Sequence, residues 1–274
     1  MRKAVKEIVA VALLASIFAA PSAALEKQGD FDQATAAYNS KNYPLAIKLF
    51  RSLAVQGDSD AQNALGLMYY IGQGVPRDYA KSFKWFHKAA EQGDAQGQSA
   101  LGAAYARGQG VPQDYAKAVK WLRKAAEQGY DDAQVILGVM YFKGQGVPRD
   151  YAKAFKWFHK VAEQGYALGQ YYLGFMYAHG QGVPQDYAKA FKWFHKAAEQ
   201  GSAVNQFNLG FMYANGQGVP RDYAKAFKWR LKSFENVTEK VIGGFIVFVF
   251  LIFLFRFFFR NCSGQRKPVA FPLP

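Results

Sequence analysis

The chain contains 274 residues, of which 51% are hydrophobic and 20% charged, with a formal net charge of +14. This composition is typical of a folded protein and excludes a disordered chain or a collagen-like repeat. The single cysteine, Cys262, excludes a disulfide framework and a cysteine-rich zinc module.

The first 24 residues have the pattern of an export signal. Basic residues within the first six positions precede an apolar run from Ile8 to Ala20, and small residues at 22–24 follow it as a cleavage site. We therefore predict a signal peptide at residues 1–24, with an uncleaved N-terminal anchor as the alternative. Because the chain is expected to be exported, we do not expect it to bind nucleic acid.

A ten-residue motif dominates the middle of the chain. It reads GQGVPRDYAK at Gly72 and returns every 36 residues, with Arg or Gln at its sixth position, at Gly108, Gly144, Gly180 and Gly216. A fixed period in this range predicts a stack of similar repeats that bury their apolar faces against their neighbours. The five full repeats are 57–92, 93–128, 129–164, 165–200 and 201–236. Residues 25–56 form a divergent opening repeat, which we expect to cap the stack.

Each repeat predicts two antiparallel helices. The first begins near Asp58 and ends at Gly72, and the second begins after Asp78 and ends before Gly93. On the second helix, helical spacing places Phe86 and its apolar neighbours on one face, opposite a ridge of three lysines per repeat. In the last repeat, Ser, Phe and Asn at 233, 234 and 236 replace the usual Ala, Ala and Gln, so a regular second helix is not predicted there.

An apolar, phenylalanine-rich run lies near the end of the chain. It extends over 19 positions at residues 241–259 and is interrupted only by Arg256. A membrane-spanning helix needs ~20 such residues, and the basic residues after the run place the C-terminus in the cytoplasm. We predict a transmembrane helix at 241–259 and a short basic tail at 260–274. The alternative is a degenerate tail that does not span a membrane.

The repeated sequence resembles the Sel1-like repeat, a relative of the tetratricopeptide repeat, in its A-x-x-x-L-G-x-x-Y, G-x-G-V-P-x-D-Y and A-A-E-Q-G elements. The resemblance implies an all-α protein, an α-solenoid of antiparallel helix pairs in 36-residue repeats, that assembles other proteins. Some exported members of this family carry paired cysteines in each repeat and are linked to β-lactam binding. This chain lacks those cysteines, which leaves a β-lactam-binding or hydrolysing enzyme as a remote alternative.

The variable positions of the first helices predict where a partner binds. Fixed residues such as Gln62, Leu65 and Tyr69 share one face, so we expect the variable residues to line an open, concave groove on the other. The candidate partner-binding residues are Asn63, Ser99, Val135, Val139, Leu168, Tyr171, Phe175, Phe207 and Phe211. The alternative is that the aromatic members fill a tighter core or cover the start of the C-terminal segment.

No catalytic, cofactor or metal site is predicted. The glycine loop lacks the spacing of a nucleotide-binding fingerprint. Equivalent positions in neighbouring repeats lie about 10 Å apart, too far for their side chains to share one metal ion. The histidines at one such repeat position are His87, His159 and His195. We expect the recurrent glutamines to hydrogen-bond backbone rather than a substrate. They are Gln62, Gln98, Gln134, Gln170 and Gln206.

The sequence therefore favours a non-enzymatic scaffold that is exported, held in the inner membrane with its solenoid in the periplasm, and bound to a protein or peptide of unknown identity. One alternative is a cell-envelope module that binds anionic polymer or lipid through the lysine ridge. The alternative location is a soluble periplasmic or secreted protein.

Overall fold

The computed structural model describes residues 29–241, and every regular element in this range is a helix. The helices are α1 (described over 29–39), α2 (Tyr43–Val55), α3 (Ser59–Ile71), α4 (Tyr79–Glu91), α5 (Ala95–Arg107), α6 (Tyr115–Glu127), α7 (Asp131–Lys143), α8 (Tyr151–Glu163), α9 (Ala167–His179), α10 (Tyr187–Glu199), α11 (Ala203–Asn215) and α12 (Tyr223–Val241).

The chain forms two compact structural units, and the boundary between them lies after Val161. In the first unit, α3 packs on α4, α4 on α5 and α5 on α6. In the second unit, α9 packs on α10, α10 on α11 and α11 on α12. Within each unit, these helices thus pack against their neighbours in sequence. The predicted all-helical solenoid of paired helices is confirmed.

Side-chain caps and glycines fix the helix ends where the sequence predicts them. The carboxylate of Asp58 accepts a hydrogen bond from the backbone N–H of Ala61 at 2.7 Å and so caps α3. Gly72 ends that helix with φ of 84°, a left-handed conformation that favours glycine. Asp78 caps α4 by accepting from the backbone N–H of Lys81 at 2.9 Å. The predicted boundaries of both helices are confirmed to within two residues.

Glycine on the first helix lets the two helices of a repeat approach closely. A β-carbon at Gly66 would lie 2.6 Å from the ring of Phe86, which is closer than such atoms can approach. A β-carbon at Gly138 would likewise lie 2.6 Å from the ring of Phe158. In these two repeats the phenylalanine ring therefore lies directly on the first-helix backbone and forms the centre of the repeat.

The recurrent glutamines connect each repeat to the one before it. In every case the side-chain amide donates to a backbone carbonyl eight residues earlier, near the end of the preceding second helix. The Nε2-to-oxygen distances are 3.0 Å for Gln62 to Ala54, 3.4 Å for Gln98 to Ala90, 2.9 Å for Gln134 to Ala126, 3.3 Å for Gln170 to Ala162 and 3.1 Å for Gln206 to Ala198. The predicted structural role of these side chains is confirmed.

The opening repeat is also a helix pair. Phe31 of α1 meets Phe50 of α2 edge to face, with ring centroids 5.6 Å apart, and Tyr38 meets Tyr43 at the same distance. The buried residues of this pair continue into α3 through Leu65.

The last described helix differs from the expectation for the final repeat. Helix α12 is regular and has 19 residues, whereas α10 has 13. Each earlier second helix ends before a glycine with positive φ, such as Gly201, but the equivalent position here is Val237. Without that glycine nothing local ends the helix, so it continues to Val241.

Within residues 29–241, no helix combines the length and the apolar character that crossing a bilayer requires. The predicted signal peptide at 1–24, residues 242–259 of the predicted span and the basic tail at 260–274 lie outside the described residues.

Candidate functional site

Five of the nine candidate partner-binding residues are buried. They are Asn63, Ser99, Val135, Tyr171 and Phe175. Val139 and Phe211 are half-buried, whereas Leu168 and Phe207 remain exposed. The expectation that all nine line an open groove is therefore wrong for the five buried residues.

The reason for this error is that a first helix is flanked on two sides. Asn63 lies only about 100° around the helix from the packed Gln62, and the next repeat covers it. Its Nδ2 donates to the Asp94 carboxylate at 2.7 Å, and Asp94 is the N-cap of α5. A helical wheel drawn for one isolated helix does not include this second neighbour.

Aromatic packing buries the corresponding residues of α9. The ring of Tyr171 lies 5.3 Å from Tyr172, 6.3 Å from Phe175 and 6.2 Å from Phe194. This burial raises the pKa of the Tyr171 and Tyr172 hydroxyls above their ordinary value. The alternative that the aromatic residues fill a tighter core is thus confirmed for Tyr171 and Phe175.

An apolar surface remains on the first helices of the second structural unit. Leu168 is 50% exposed, Val204 58% and Phe207 38%. Together with the half-buried Phe211 they form what we call the α9–α11 face. Neither α9 nor α11 contains Asp, Glu, Lys or Arg. The face is apolar, and neither of the two helices that form it contributes a formal charge.

The positions equivalent to Leu168 and Val204 are polar in the first structural unit. Where the second unit has Leu168 and Val204, the first has the exposed residues Asp60, Gln96 and Asp132. Partial burial, followed by the negative charges of Asp58 and Asp94, raises the pKa of Asp60. This contrast makes the α9–α11 face the candidate site.

Arg230 is a functional candidate that the sequence analysis missed. It occupies the position at which earlier repeats have Phe86, Leu122, Phe158 and Phe194. Its guanidinium carbon lies 5.2 Å from the centroid of the Phe207 ring, within the range of a cation–π interaction. Partial burial lowers the pKa of Arg230 below its ordinary value. A charged residue at a repeat position that is otherwise apolar was the available sequence signal.

The lysines of the second helices are not equivalent to one another. The first of each repeat, such as Lys81, pairs with its Asp cap at Nζ–O distances between 3.1 and 3.4 Å. The backbone N–H of Lys81, followed by its ammonium group, lowers the pKa of Asp78. The last of each repeat, such as Lys88, lies over a tryptophan, 4.5 Å from the centroid of Trp85. The middle row is exposed: Lys84, Lys120, Lys156, Lys192 and Lys228.

The histidines of the second helices make local contacts. His87 lies 3.3 Å from the Glu91 carboxylate, and its ring meets that of Trp121 with centroids 6.2 Å apart. Over the part of the chain that the structure describes, no three His, Cys, Asp or Glu side chains come together as metal ligands.

The fold and its repeated contacts define an α-solenoid with an apolar face on the first helices of its second structural unit. Sel1 repeat models match residues 40–58, 59–94, 95–130, 131–166, 167–202 and 206–235. These segments account for well over half of the chain, which therefore belongs to the Sel1 repeat family.

Solved structures of similar proteins agree with this assignment. A protective antigen of uropathogenic Escherichia coli with an SLR fold is 36% identical over 88% of this chain, with a TM-score of 0.72, and this chain spans 51% of it. A Sel1 repeat protein from Oxalobacter formigenes is 33% identical over 76% of this chain and 87% of its own, with a TM-score of 0.69.

A more distant structure shares the fold alone. An immunity protein from Pseudomonas aeruginosa is 21% identical over 78% of this chain and 81% of its own, with a TM-score of 0.51. A comparison with curated protein sequences found no significant match.

Proposed function

We propose that this protein is a non-enzymatic scaffold that binds a protein or peptide partner on its α9–α11 face. Sel1 repeat proteins generally act as protein-interaction scaffolds. The observation that supports this site is the exposure of Leu168, Val204 and Phe207 on helices without charged side chains. Large apolar side chains clustered on a surface are typical of protein interfaces, and aromatic residues often act as their anchors.

The proposal is tested by replacing exposed apolar residues of the α9–α11 face while the core residues stay unchanged. We expect that Leu168→Ser with Val204→Ser abolishes affinity capture of the partner by the full chain, because both side chains are at least half exposed. The melting temperature should change little, since exposed side chains contribute little to stability.

A matched control is Val55→Ser, which changes an exposed valine at the end of α2 in the first structural unit. This variant should capture the partner as well as the unmodified chain does. Retention of the partner by the Leu168 and Val204 double variant would contradict the proposed site.

The lysine ridge supports a second candidate function, binding of an anionic envelope polymer or lipid. The exposed middle row, one lysine per repeat, is the relevant feature, because the other two rows contact Asp and Trp side chains of their own repeats. Such binding should weaken steeply between low and physiological salt, whereas binding to the α9–α11 face should not. Salt dependence of capture therefore distinguishes the two functions.

We further propose that residues 241–259 hold the scaffold in a membrane, after export directed by residues 1–24. The length of the apolar run and the basic residues that follow it support this location. A reporter active only in the cytoplasm, fused after Pro274, should be active, and the full chain should resist carbonate extraction. Activity of a periplasm-only reporter, or extraction by carbonate, would contradict the tether.

A further inference from the structure

The last first helix and the last second helix meet through an unusual pair of side chains. In the preceding repeat, Tyr171 of α9 packs against Phe194 of α10 with ring centroids 6.2 Å apart. The equivalent residues one repeat later are Phe207 of α11 and Arg230 of α12, with the guanidinium carbon 5.2 Å from the ring centroid. An aromatic pair in one repeat thus becomes a cation–π pair in the next.

The two pairs also differ in how far they are covered. Tyr171 is 7% exposed and Phe194 1%, whereas Phe207 is 38% exposed and Arg230 is half-buried. Helix α11 is the last first helix of the described chain, so no later repeat in residues 29–241 covers Phe207. The Phe207–Arg230 pair therefore lies at an accessible end of the second structural unit.

The first structural unit shows which group lies against this position when another helix follows. There Asn63, which corresponds to Phe207, donates from Nδ2 to the carboxylate of Asp94 at 2.7 Å. The same carboxylate oxygen accepts from the backbone N–H of Gly97 at 2.6 Å and so caps α5. In this repeat, the carboxylate at the N-cap of the following helix thus lies next to the side chain at this position, whereas the corresponding N-cap residues of α7, α9 and α11 are Tyr130, Tyr166 and Ser202.

The charge at the accessible end suits such a carboxylate. A guanidinium has five N–H donors in a planar fork, and that geometry matches a carboxylate. Residues 223–235 of α12 carry Lys225, Lys228, Arg230 and Lys232 against a single acid, Glu235, while α11 carries no formal charge. The three lysines belong to the ridge on the opposite face of α12, so the positive charge beside the Phe207 ring is that of Arg230. A positive charge beside an apolar ring favours a partner that is both acidic and apolar.

We propose that the Phe207–Arg230 pair binds the N-terminal turn of a partner helix that carries a carboxylate on Arg230 and an apolar side chain on Phe207. This inference rests on the proposed function, since it specifies the chemistry of a partner for the same part of the second unit. Partial burial, which lowers the pKa of Arg230, makes a nearby carboxylate favourable for that side chain.

The chain itself supplies the probe. Residues 93–107 contain Asp94 and α5, so a displayed peptide library based on this segment, with Asp94 and the residues of its packed face randomised, can be selected against the full chain. We expect selected peptides to have Asp or Glu at the N-cap and apolar residues on one face. An enriched peptide is then synthesised with Asp or with Asn at the N-cap, because both residues cap a helix equally well.

On the unmodified chain, the change from Asp to Asn should weaken binding by about tenfold, as expected for loss of one partner of a charged pair. On Arg230→Leu, the same change should weaken binding by less than about twofold, since no guanidinium remains. Lys228→Leu, on the same helix, should keep the tenfold difference. Arg230→Leu should fold, because Leu122 occupies the equivalent position in an earlier repeat.

Three results would overturn the inference: no peptide is selected, selected peptides lack an N-cap acid, or the effect of the acid persists in Arg230→Leu. Loss of capture in the Leu168 and Val204 variant together with any of these results would leave the proposed function intact. Retention of capture in that variant would count against the proposed function instead.

Discussion

Replacing Tyr171 by alanine is expected to lower the free energy of unfolding of the full chain by about 3 kcal/mol, the cost of deleting a large buried side chain. Tyr171 is 7% exposed, and three aromatic rings surround it within 6.3 Å. The cavity left by the substitution cannot close fully, because those rings are held by their own neighbours. Urea unfolding followed by circular dichroism measures the change.

Phe207→Ala is the matched control, because Phe207 occupies the same position one repeat later and is 38% exposed. Its loss should cost about 1 kcal/mol or less, since much of the ring is already in contact with water. Equal costs for the two substitutions would contradict the conclusion that one position is core in one repeat and surface in the next.

Replacing Gln134 by glutamate is expected to destabilise the chain by about 3–5 kcal/mol at pH 7, the range for leaving a buried charge uncompensated. Gln134 is fully buried, and its Nε2 donates to the carbonyl oxygen of Ala126 at 2.9 Å. A carboxylate there would place a negative charge against that oxygen, with no water to solvate it.

The cost of Gln134→Glu should depend on pH in a defined direction. Burial raises the pKa of the introduced carboxyl above its unfolded value of about 4.3, so the folded state binds a proton that the unfolded state releases. The penalty is therefore small below pH 4, grows as pH rises through the unfolded pKa, and is complete above the folded pKa. A protonated acid can also donate to the Ala126 carbonyl, as the amide does.

The control for this substitution is Gln113→Glu. Gln113 makes the same type of contact, from Nε2 to the carbonyl oxygen of Ala106 at 2.8 Å, but on the surface. Water can solvate its carboxylate, so little loss of stability and little dependence on pH are expected. A Gln134→Glu variant whose stability matches this control at pH 7 would show that the glutamine is not isolated from water.

The apolar residues of the α9–α11 face and the Phe207–Arg230 pair should contribute differently to partner selection. Leu168 and Val204 offer only apolar area, which gives affinity with little discrimination. A charged residue beside Phe207 would add discrimination, because a guanidinium attracts a carboxylate and gains no such attraction from an apolar group. We therefore expect substitution of Arg230 to change which partners are selected more than how tightly they bind.

Most of the fold could be predicted from the sequence because its causes are local. The glycine and proline loop, the Asp caps and the period of 36 residues each act within one repeat, and the structure places the helix ends at those residues. The contacts of the recurrent glutamines were predictable for a related reason. A fixed polar residue on a packed face must find a buried partner, and backbone carbonyls near a helix end are the available acceptors.

The candidate site was predicted less well, because exposure depends on neighbours that one helix does not reveal. A helical wheel separates the packed from the open side of an isolated helix, but Asn63 and Tyr171 are covered by elements on the flank of that helix. The sequence showed that the first helices become apolar toward Phe211. It could not show that Tyr171 belongs to the core while Phe207 reaches solvent.

The sequence by itself therefore determined the repeat, the helix pairs, their caps and the row of glutamines, since each arises from residues close together in the chain. The tertiary structure alone decided which variable side chains are exposed, which lysines are already in contact with Asp or Trp, and where the guanidinium of Arg230 lies. The exposure of the variable side chains depends on packing between repeats, whereas the lysine contacts and the Phe207–Arg230 contact arise within one repeat, from side-chain conformations and the packing of its two helices. The same repeat position is buried at Tyr171 and exposed at Phe207, after which no further first helix follows within residues 29–241.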